Sequence, residues 1–476
     1  MTESPGRIAP ASVTALCAGL AGRAIAPGDA EYELARQVHN ASVDRHPGLI
    51  VRVANAADVC RTVGFAREGG HRLTVRGGGH SPAGHAVADG AIMVDLSEMC
   101  GFELDARRRR AWAEPGLTAG EYTRAAAAHG LATPFGDTAS VGIAGITLSG
   151  GIGFLARKHG LTIDHLVSVE LVTADGSLLA VSETSHPDLF WAVRGGGGNF
   201  GIVTRLQYAL QPVDLVLGGA LFLPATRDVL RGLVPIAASA PEELTTIALL
   251  MPAPPLPFIP ADAHGRPTIA ILMVHAGDVE DGERAVAPFR ALARPIADVV
   301  RPMPYPAIYE LTAEAGRRTP SVQRSLLLDA LEDSKVETIL ARMAAPSSPL
   351  AMTQIRVLGG AMARVPNAAT AFGHRGRSIM VTVITPFADV AERDRHVAWT
   401  QDYADALGLH DAGAYAGFLD DEGEARVRSA YPAATYGRLA EIKRRYDPDN
   451  VFRANQNIVP AVARRQDGAS TGTPAG

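Results

Sequence analysis

The sequence has little cysteine, no surplus of basic charge and no apolar run long enough to span a membrane. Its three cysteines, Cys17, Cys60 and Cys100, form no CxxC pair. Such an odd, scattered set excludes a disulfide framework and a thiolate metal site, so three buried thiols in a reducing cytoplasm are the expectation. A formal net charge of −5 provides no basic surface, which excludes nucleic acid and anionic lipid as partners. The opening Met1-Thr2-Glu3-Ser4-Pro5-Gly6 has no basic stretch followed by an apolar one. No secretory leader is therefore expected, no membrane association either, and the protein is read as cytoplasmic. There is no internal repeat.

Glycine is what the chain has in abundance. Its 49 glycines among 476 residues concentrate in three stretches, where the backbone must turn tightly or approach something closely. The remaining composition, 47% hydrophobic and 20% charged, is that of a soluble globular protein, and the length predicts two or three domains. In the first two hundred residues short strands and helices alternate. Strands are expected over 49–53, 72–76, 91–96, 167–173 and 177–181, and helices over 56–68 and 118–129. After Gln211-Pro212 the glycine loops disappear. Strands are expected there over 269–274, 353–358 and 378–384, helices over 285–293, 322–343 and 390–407, and a loop over the proline-rich 252–260. A helix over 436–444 precedes Tyr446-Asp447-Pro448-Asp449-Asn450, and the Gly, Ser, Thr and Ala tail beyond Arg465 is expected to be disordered.

The first glycine stretch, Arg76-Gly77-Gly78-Gly79-His80-Ser81, follows a strand. Its successive N–H groups, unobstructed by side chains, can cradle phosphate oxygens. Arg76 adds charge-assisted hydrogen bonds there if it points inward. A flexible turn with an exposed histidine is the plain alternative. The second stretch runs Gly136-Asp137-Thr138-Ala139-Ser140-Val141-Gly142-Ile143-Ala144-Gly145 and then Ser149-Gly150-Gly151-Ile152-Gly153. Its small residues suit a backbone pressed on a flat ring or a pyrophosphate. Residues 151–156 match GxGxxA with Glu170 downstream, and 196–201 match GxGxxG, the fingerprint of a Rossmann dinucleotide site. The context is wrong for both. No clear buried strand precedes Gly151, and Gly201 leads into a strand-like run.

Val75-Arg76-Gly77-Gly78-Gly79-His80-Ser81, with Gly84 and His85 beyond it, resembles the flavin-attachment loop of the berberine bridge enzyme-like FAD-linked oxidases. These belong to the vanillyl-alcohol oxidase, or PCMH-type, superfamily. The resemblance implies a covalent bond from His80 to the 8α-methyl of the flavin, which a neutral imidazole can attack because the electron-poor ring acidifies it. It also implies that Thr138, Ser140, Val141, Gly142, Gly145, Gly150, Gly151 and Gly153 line the flavin. Thr138 stands where doubly attached members carry a cysteine, so His80 is the single tether. Val141 stands where a small side chain admits dioxygen.

Trp191 to Thr204 resembles the segment that closes the family's FAD domain, with Ile202 and Val203 by the adenosine half. Tyr446 to Ile458 resembles the family's closing motif. It would bring the amides of Asn455 and Asn457 to the polar edge of the isoalloxazine, where they stabilise charge that develops on reduction. Ala414 to Phe418 resembles a segment that carries a substrate-facing tyrosine, making Tyr415 the candidate general base. Gly417 and Phe418 depart from the asparagine and tyrosine usual in plant members, and a buried structural tyrosine is the alternative. Phe372-Gly373-His374-Arg375 resembles a stretch bordering the pocket, with His374 as its candidate side chain.

The fold so implied is α+β. A discontinuous PCMH-type FAD-binding domain, residues 1–210 completed by 411–462, carries an inserted α/β substrate domain over 211–410 built on an antiparallel sheet, and 463–476 form the tail. The activity implied is that of an FAD-dependent oxidase. Hydride passes from a small organic substrate (alcohol, sugar, amine or natural-product scaffold) to flavin N5 and on to dioxygen, giving hydrogen peroxide. A dehydrogenase of the same fold with another acceptor and a catalytically silent flavin-binding protein are the alternatives. No metal is expected.

Overall fold

The computed structural model describes Ile8 and residues 10–462, so the expected disordered tail lies outside the described residues. The N-terminal apolar runs form a four-stranded sheet in the order Arg23–Ile25, Leu49–Arg52, Ile92–Asp95, Leu73–Arg76. Its last three strands are parallel and bury both faces, which is why they read as continuous apolar runs. Helix Ala56–Glu68 makes the crossover, started by Asn55, whose side chain accepts from the N–H of Asp58. A second sheet, fully antiparallel, has the order Phe102–Asp105, Arg110–Ala113, Ile202–Ala209, Leu166–Val172, Leu178–Ser182. The second glycine stretch is the long excursion between its strands Arg110–Ala113 and Leu166–Val172.

Residues 215–386 supply an eight-stranded antiparallel sheet. The two-residue period of the strands sends Leu221 and Leu223 to one face, and Ala220 and Phe222 to the other. The first face packs on helices Arg227–Ser239, Val279–Arg290, Asp333–Ala344 and Arg393–Ala406. The second face is turned to the glycine stretches. Its Leu327, Leu358 and Met380 share a buried cluster with Ile152, Phe372 and Tyr415. The fold is therefore α+β, with residues 215–386 forming an antiparallel sheet inserted between the N-terminal sheets and the C-terminal return.

Two expectations need correction. The helix expected over 322–343 is instead strand Ser321–Leu328, followed by helix Asp333–Ala344. Val322, Ser325, Leu326 and Leu327 are all buried, so the strand lacks the alternation that would have separated it from a helix. The cysteines are not buried thiols: Cys17 and Cys100 are exposed and Cys60 is half-buried, all three free. No helix among the described residues is long and apolar enough to cross a membrane.

The chain returns to the first domain through helix Ala433–Tyr446 and a turn held by a fully buried ion pair. Lys443 Nζ donates to Asp447 Oδ2 at 2.7 Å and to the carbonyls of Asn199 and Phe452 at 2.7 and 2.8 Å. Asp447 in turn accepts from the N–H groups of Val451 and Phe452. This one pair clamps helix, closing segment and third glycine stretch together. Asp447→Ala strands a buried ammonium, and equilibrium denaturation is expected to show a loss of about 3–5 kcal/mol. A loss of only about 0–1 kcal/mol, the worth of an exposed pair, would contradict the clamp.

Candidate functional site

Strand Leu73–Arg76 delivers the first glycine loop against the second. A Cβ on Gly78 would overlap the backbone nitrogen of Gly142, and a Cβ on Gly142 would overlap that of Gly78, so both positions exclude any side chain. Gly79 and Gly84 adopt φ of +68° and +66°, which glycine alone adopts without strain. Arg76 requires a correction. Its guanidinium turns away from the loop, donating to both oxygens of buried Asp95 at 3.1 and 2.6 Å and to the carbonyls of Ala35 and Gln37. The ladder places Arg76 and Asp95 side by side on neighbouring strands, and the carboxylate takes the cation that was expected to face phosphate. Arg76 braces the segment 35–37 against the loop.

His80 emerges from that loop with its imidazole stacked on His39, the ring centroids 4.0 Å apart and the planes 23° from parallel. Burial, then the neighbouring His39, pushes its pKa down to about 3, so the ring is neutral throughout the physiological range. His85, five residues on, is pushed down to about 4, chiefly by burial. Across the Gly78–Gly142 contact stands the second stretch, where Thr138 directs its hydroxyl to Asp137 and Val141 accepts from the N–H of Ala119. A Cβ on Gly145 would meet nothing within 4 Å. Gly150 and Gly151 have φ of +131° and +81°, and Gly153 lies so close to the carbonyl of Phe135 that a side chain is excluded.

Asn199 seals the third stretch to the closing segment, donating to the carbonyls of Gly196 and Gln456 and accepting from the N–H of Ile458. Asn455 donates to Gly198 and Phe452. Ile202 and Val203 are buried in the strand that follows. Neither glycine fingerprint opens a Rossmann unit: Gly201 runs straight into strand Ile202–Ala209, and Gly153 precedes only the single turn Ala156–His159.

Four buried polar atoms around these loops have no protein partner: Ser140 Oγ, His85 Nε2, Asn455 Oδ1 and Asn457 Oδ1. Buried polar groups are usually hydrogen-bonded, and on these segments both hydroxyl or imidazole and amide-carbonyl positions are left open, a mix that fits a dinucleotide whose flavin carries both donors and acceptors. Ser81, Gly84 and His85 extend the same loop.

Tyr415 lies on the opposite side, 2% exposed, its hydroxyl accepting from the N–H of Gly151 at 3.1 Å. Burial pushes its pKa up to about 12, a rise that the Gly151 N–H and the nearby Arg356 only partly offset. Arg356, on the sheet face turned to the loops, donates to Gln354 at 2.8 Å and to Asp137 at 2.5 Å. That ion pair fastens the inserted sheet to the second glycine stretch. Arg375, in the loop before strand Ile379–Pro386, grips Asp164 with two bonds of 2.6 and 3.0 Å. His374 does not join Tyr415. Its Nε2 donates to the carbonyl of Ser429 at 2.9 Å, and burial lowers its pKa, so it is a tether between two backbone segments. His39 and Arg356 escaped the reading of the sequence because each acts through a partner distant in the chain; Lys443 pairs with Asp447 four residues on, but its bond to the carbonyl of Asn199 is made only by the fold.

Comparison with known proteins agrees with this geometry. The FAD binding domain model matches residues 47–182, and the berberine and berberine-like model matches residues 414–459. (R)-6-hydroxynicotine oxidase of Paenarthrobacter nicotinovorans is 30% identical over 454 residues, covering 92% of this chain and 97% of the relative. An uncharacterized FAD-linked oxidoreductase of Bacillus subtilis, YgaK, is 31% identical over 458 residues, covering 93% of this chain and 97% of the relative. The crystal structure of 6-hydroxy-D-nicotine oxidase from Arthrobacter nicotinovorans superposes with a TM-score of 0.82 at 27% identity, covering 93% of this chain and 99% of that one. The two family-model matches, with relatives 30 and 31% identical over nearly the full length, place the chain in the berberine bridge enzyme-like family of FAD-linked oxidoreductases.

Proposed function

We propose that this FAD-dependent oxidoreductase is an oxidase whose flavin is tethered through His80 alone. The observation that carries the reading is the neutral imidazole of His80, set at the end of a side-chain-free loop that meets the second glycine loop, whose buried Ser140 hydroxyl has no protein partner. Bound FAD supplies the hydride acceptor, and dioxygen, as terminal oxidant, leaves as hydrogen peroxide. The protein's own groups then have distinct tasks. Gly77, Gly78 and Gly79 bring backbone N–H groups close to the phosphates, Ser140 and His85 hydrogen-bond the cofactor, and Asn455 and Asn457 orient its polar edge. Thr138, which cannot form a thioether, leaves His80 as the single link, and Val141 keeps the approach for dioxygen narrow but open.

Tyr415 removes the substrate's proton. Its neighbours Phe372 and Phe418 make that corner apolar, which excludes water and suits a small organic substrate carrying a hydroxyl or amine next to the reacting C–H. Relatives named for 6-hydroxynicotine and xylooligosaccharides span that range.

Acid precipitation of the purified protein is expected to carry the yellow chromophore into the pellet, and His80→Ala to release it into the supernatant. Peroxide formed in step with substrate oxidation supports the oxidase; substrate oxidation that proceeds only with an added dye points to the dehydrogenase. Because the Tyr415 phenol sits near pKa 12, a base role makes kcat/KM climb with pH to the alkaline limit of stability, since each unit raises the ionised fraction tenfold. Tyr415→Phe is expected to flatten that climb and lower kcat on the order of 10²-fold or more. A plateau near neutrality in the wild-type protein would assign the base to another group.

A further inference from the structure

We infer that His39 is a positioning residue for flavin attachment, its ring fixing the plane in which the His80 imidazole meets the 8α-carbon of the cofactor. The inference rests on the tether through His80 proposed above. His39 is itself held on every side. Its backbone N–H donates to the carbonyl of Gly79, the residue before His80, at 3.0 Å. Its Nε2 lies 3.0 Å from the carbonyl of Ala315; a carbonyl only accepts, so that nitrogen carries the hydrogen and the ring cannot spin.

The segments on both sides of His39 are tied as well. Arg76 donates to the carbonyls of Ala35 and Gln37, Arg318 Nε donates to that of Val38 at 3.0 Å, and the Asn40 amide donates to those of Pro82 and Ser321 at 2.9 and 3.0 Å. Ala315 belongs to Tyr305–Gly316, a strap from the inserted domain. The strap's Thr312 hydroxyl donates to the carbonyl of Asp137, and its Gly316 runs so near Ser140 that an added Cβ would meet the Ser140 hydroxyl, so the strap lies along the second glycine loop. A ring fixed by two domains, lying flat on His80, removes the free rotation that an imidazole at a loop tip otherwise keeps.

Attachment joins an imidazole nitrogen of His80 to the 8α-carbon. The imidazole N–H proton and one hydrogen of the methyl group leave, two electrons and two protons pass to the flavin, and dioxygen then removes them as hydrogen peroxide. The attacking nitrogen must be neutral and aligned with the carbon. Stacking supplies the alignment, and burial first, with the neighbouring His39 adding to it, keeps His80 neutral.

The test compares wild type, His39→Ala and His39→Phe, each purified after the same expression times. Total flavin is read by absorbance, and tethered flavin by its retention in the acid-precipitated pellet. His39→Ala is expected to bind FAD but attach it on the order of 10²-fold more slowly, and His39→Phe, which restores a flat ring, to recover most of the rate. Attachment at the wild-type rate in His39→Ala overturns the inference. So does failure of His39→Phe to restore it while FAD is bound, and so does loss of FAD binding in both variants, which would make His39 a purely structural residue. Flavin that washes out of the wild-type protein defeats the tether itself, an outcome visible before any His39 variant is made.

Discussion

The contact on which the site depends is the one between Gly78 and Gly142, two glycines from different loops whose backbones meet with no room for a Cβ on either. It sets the first loop, at the end of a parallel strand, against the second, which the antiparallel sheet projects. His80 and Ser140 become neighbours only because that gap is closed. The left-handed turn at Gly79 then directs the chain so that His80 faces His39. An alanine at either glycine would force backbone against backbone, and the loops would have to part.

Around that contact the inserted domain is fastened by charge. Arg356 reaches Asp137 and Arg375 reaches Asp164, both pairs buried or nearly so. Buried pairs of this kind stabilise little in net terms, because desolvation offsets the attraction, but breaking one is costly. Their contribution is therefore geometric. They fix the sheet face bearing Arg356 over the glycine loops and hold Tyr415 between that face and Gly151. The buried Lys443–Asp447 clamp gives the closing segment the same rigidity, which keeps the side chains of Asn455 and Asn457 pointing where no protein group meets their carbonyl oxygens.

Much of this was legible in the sequence wherever the signal is local. The glycine loops, the histidine that ends the first and the run from Tyr446 to Ile458 are contiguous patterns, and their chemistry follows from a missing side chain or an amide. Strand Ser321–Leu328 was not legible, because burial on both faces erases the alternation that marks a strand. The direction of Arg76 could not be read either. It is decided by Asp95, nineteen residues away and adjacent only through the ladder. His39 and Arg356 share that difficulty, each owing its role to a residue brought near by the fold. His374 shows the converse: a histidine in a suggestive motif that the fold spends on the carbonyl of Ser429.

The bond between His80 and the flavin is tested most directly by peptide mapping of the holoprotein by mass spectrometry. The proteolytic peptide containing His80 is expected to carry the added mass of one flavin nucleotide, with fragmentation locating it on that histidine, and peptides containing Thr138 to carry none. A His80 peptide of unmodified mass in a protein that retains its yellow colour would contradict it.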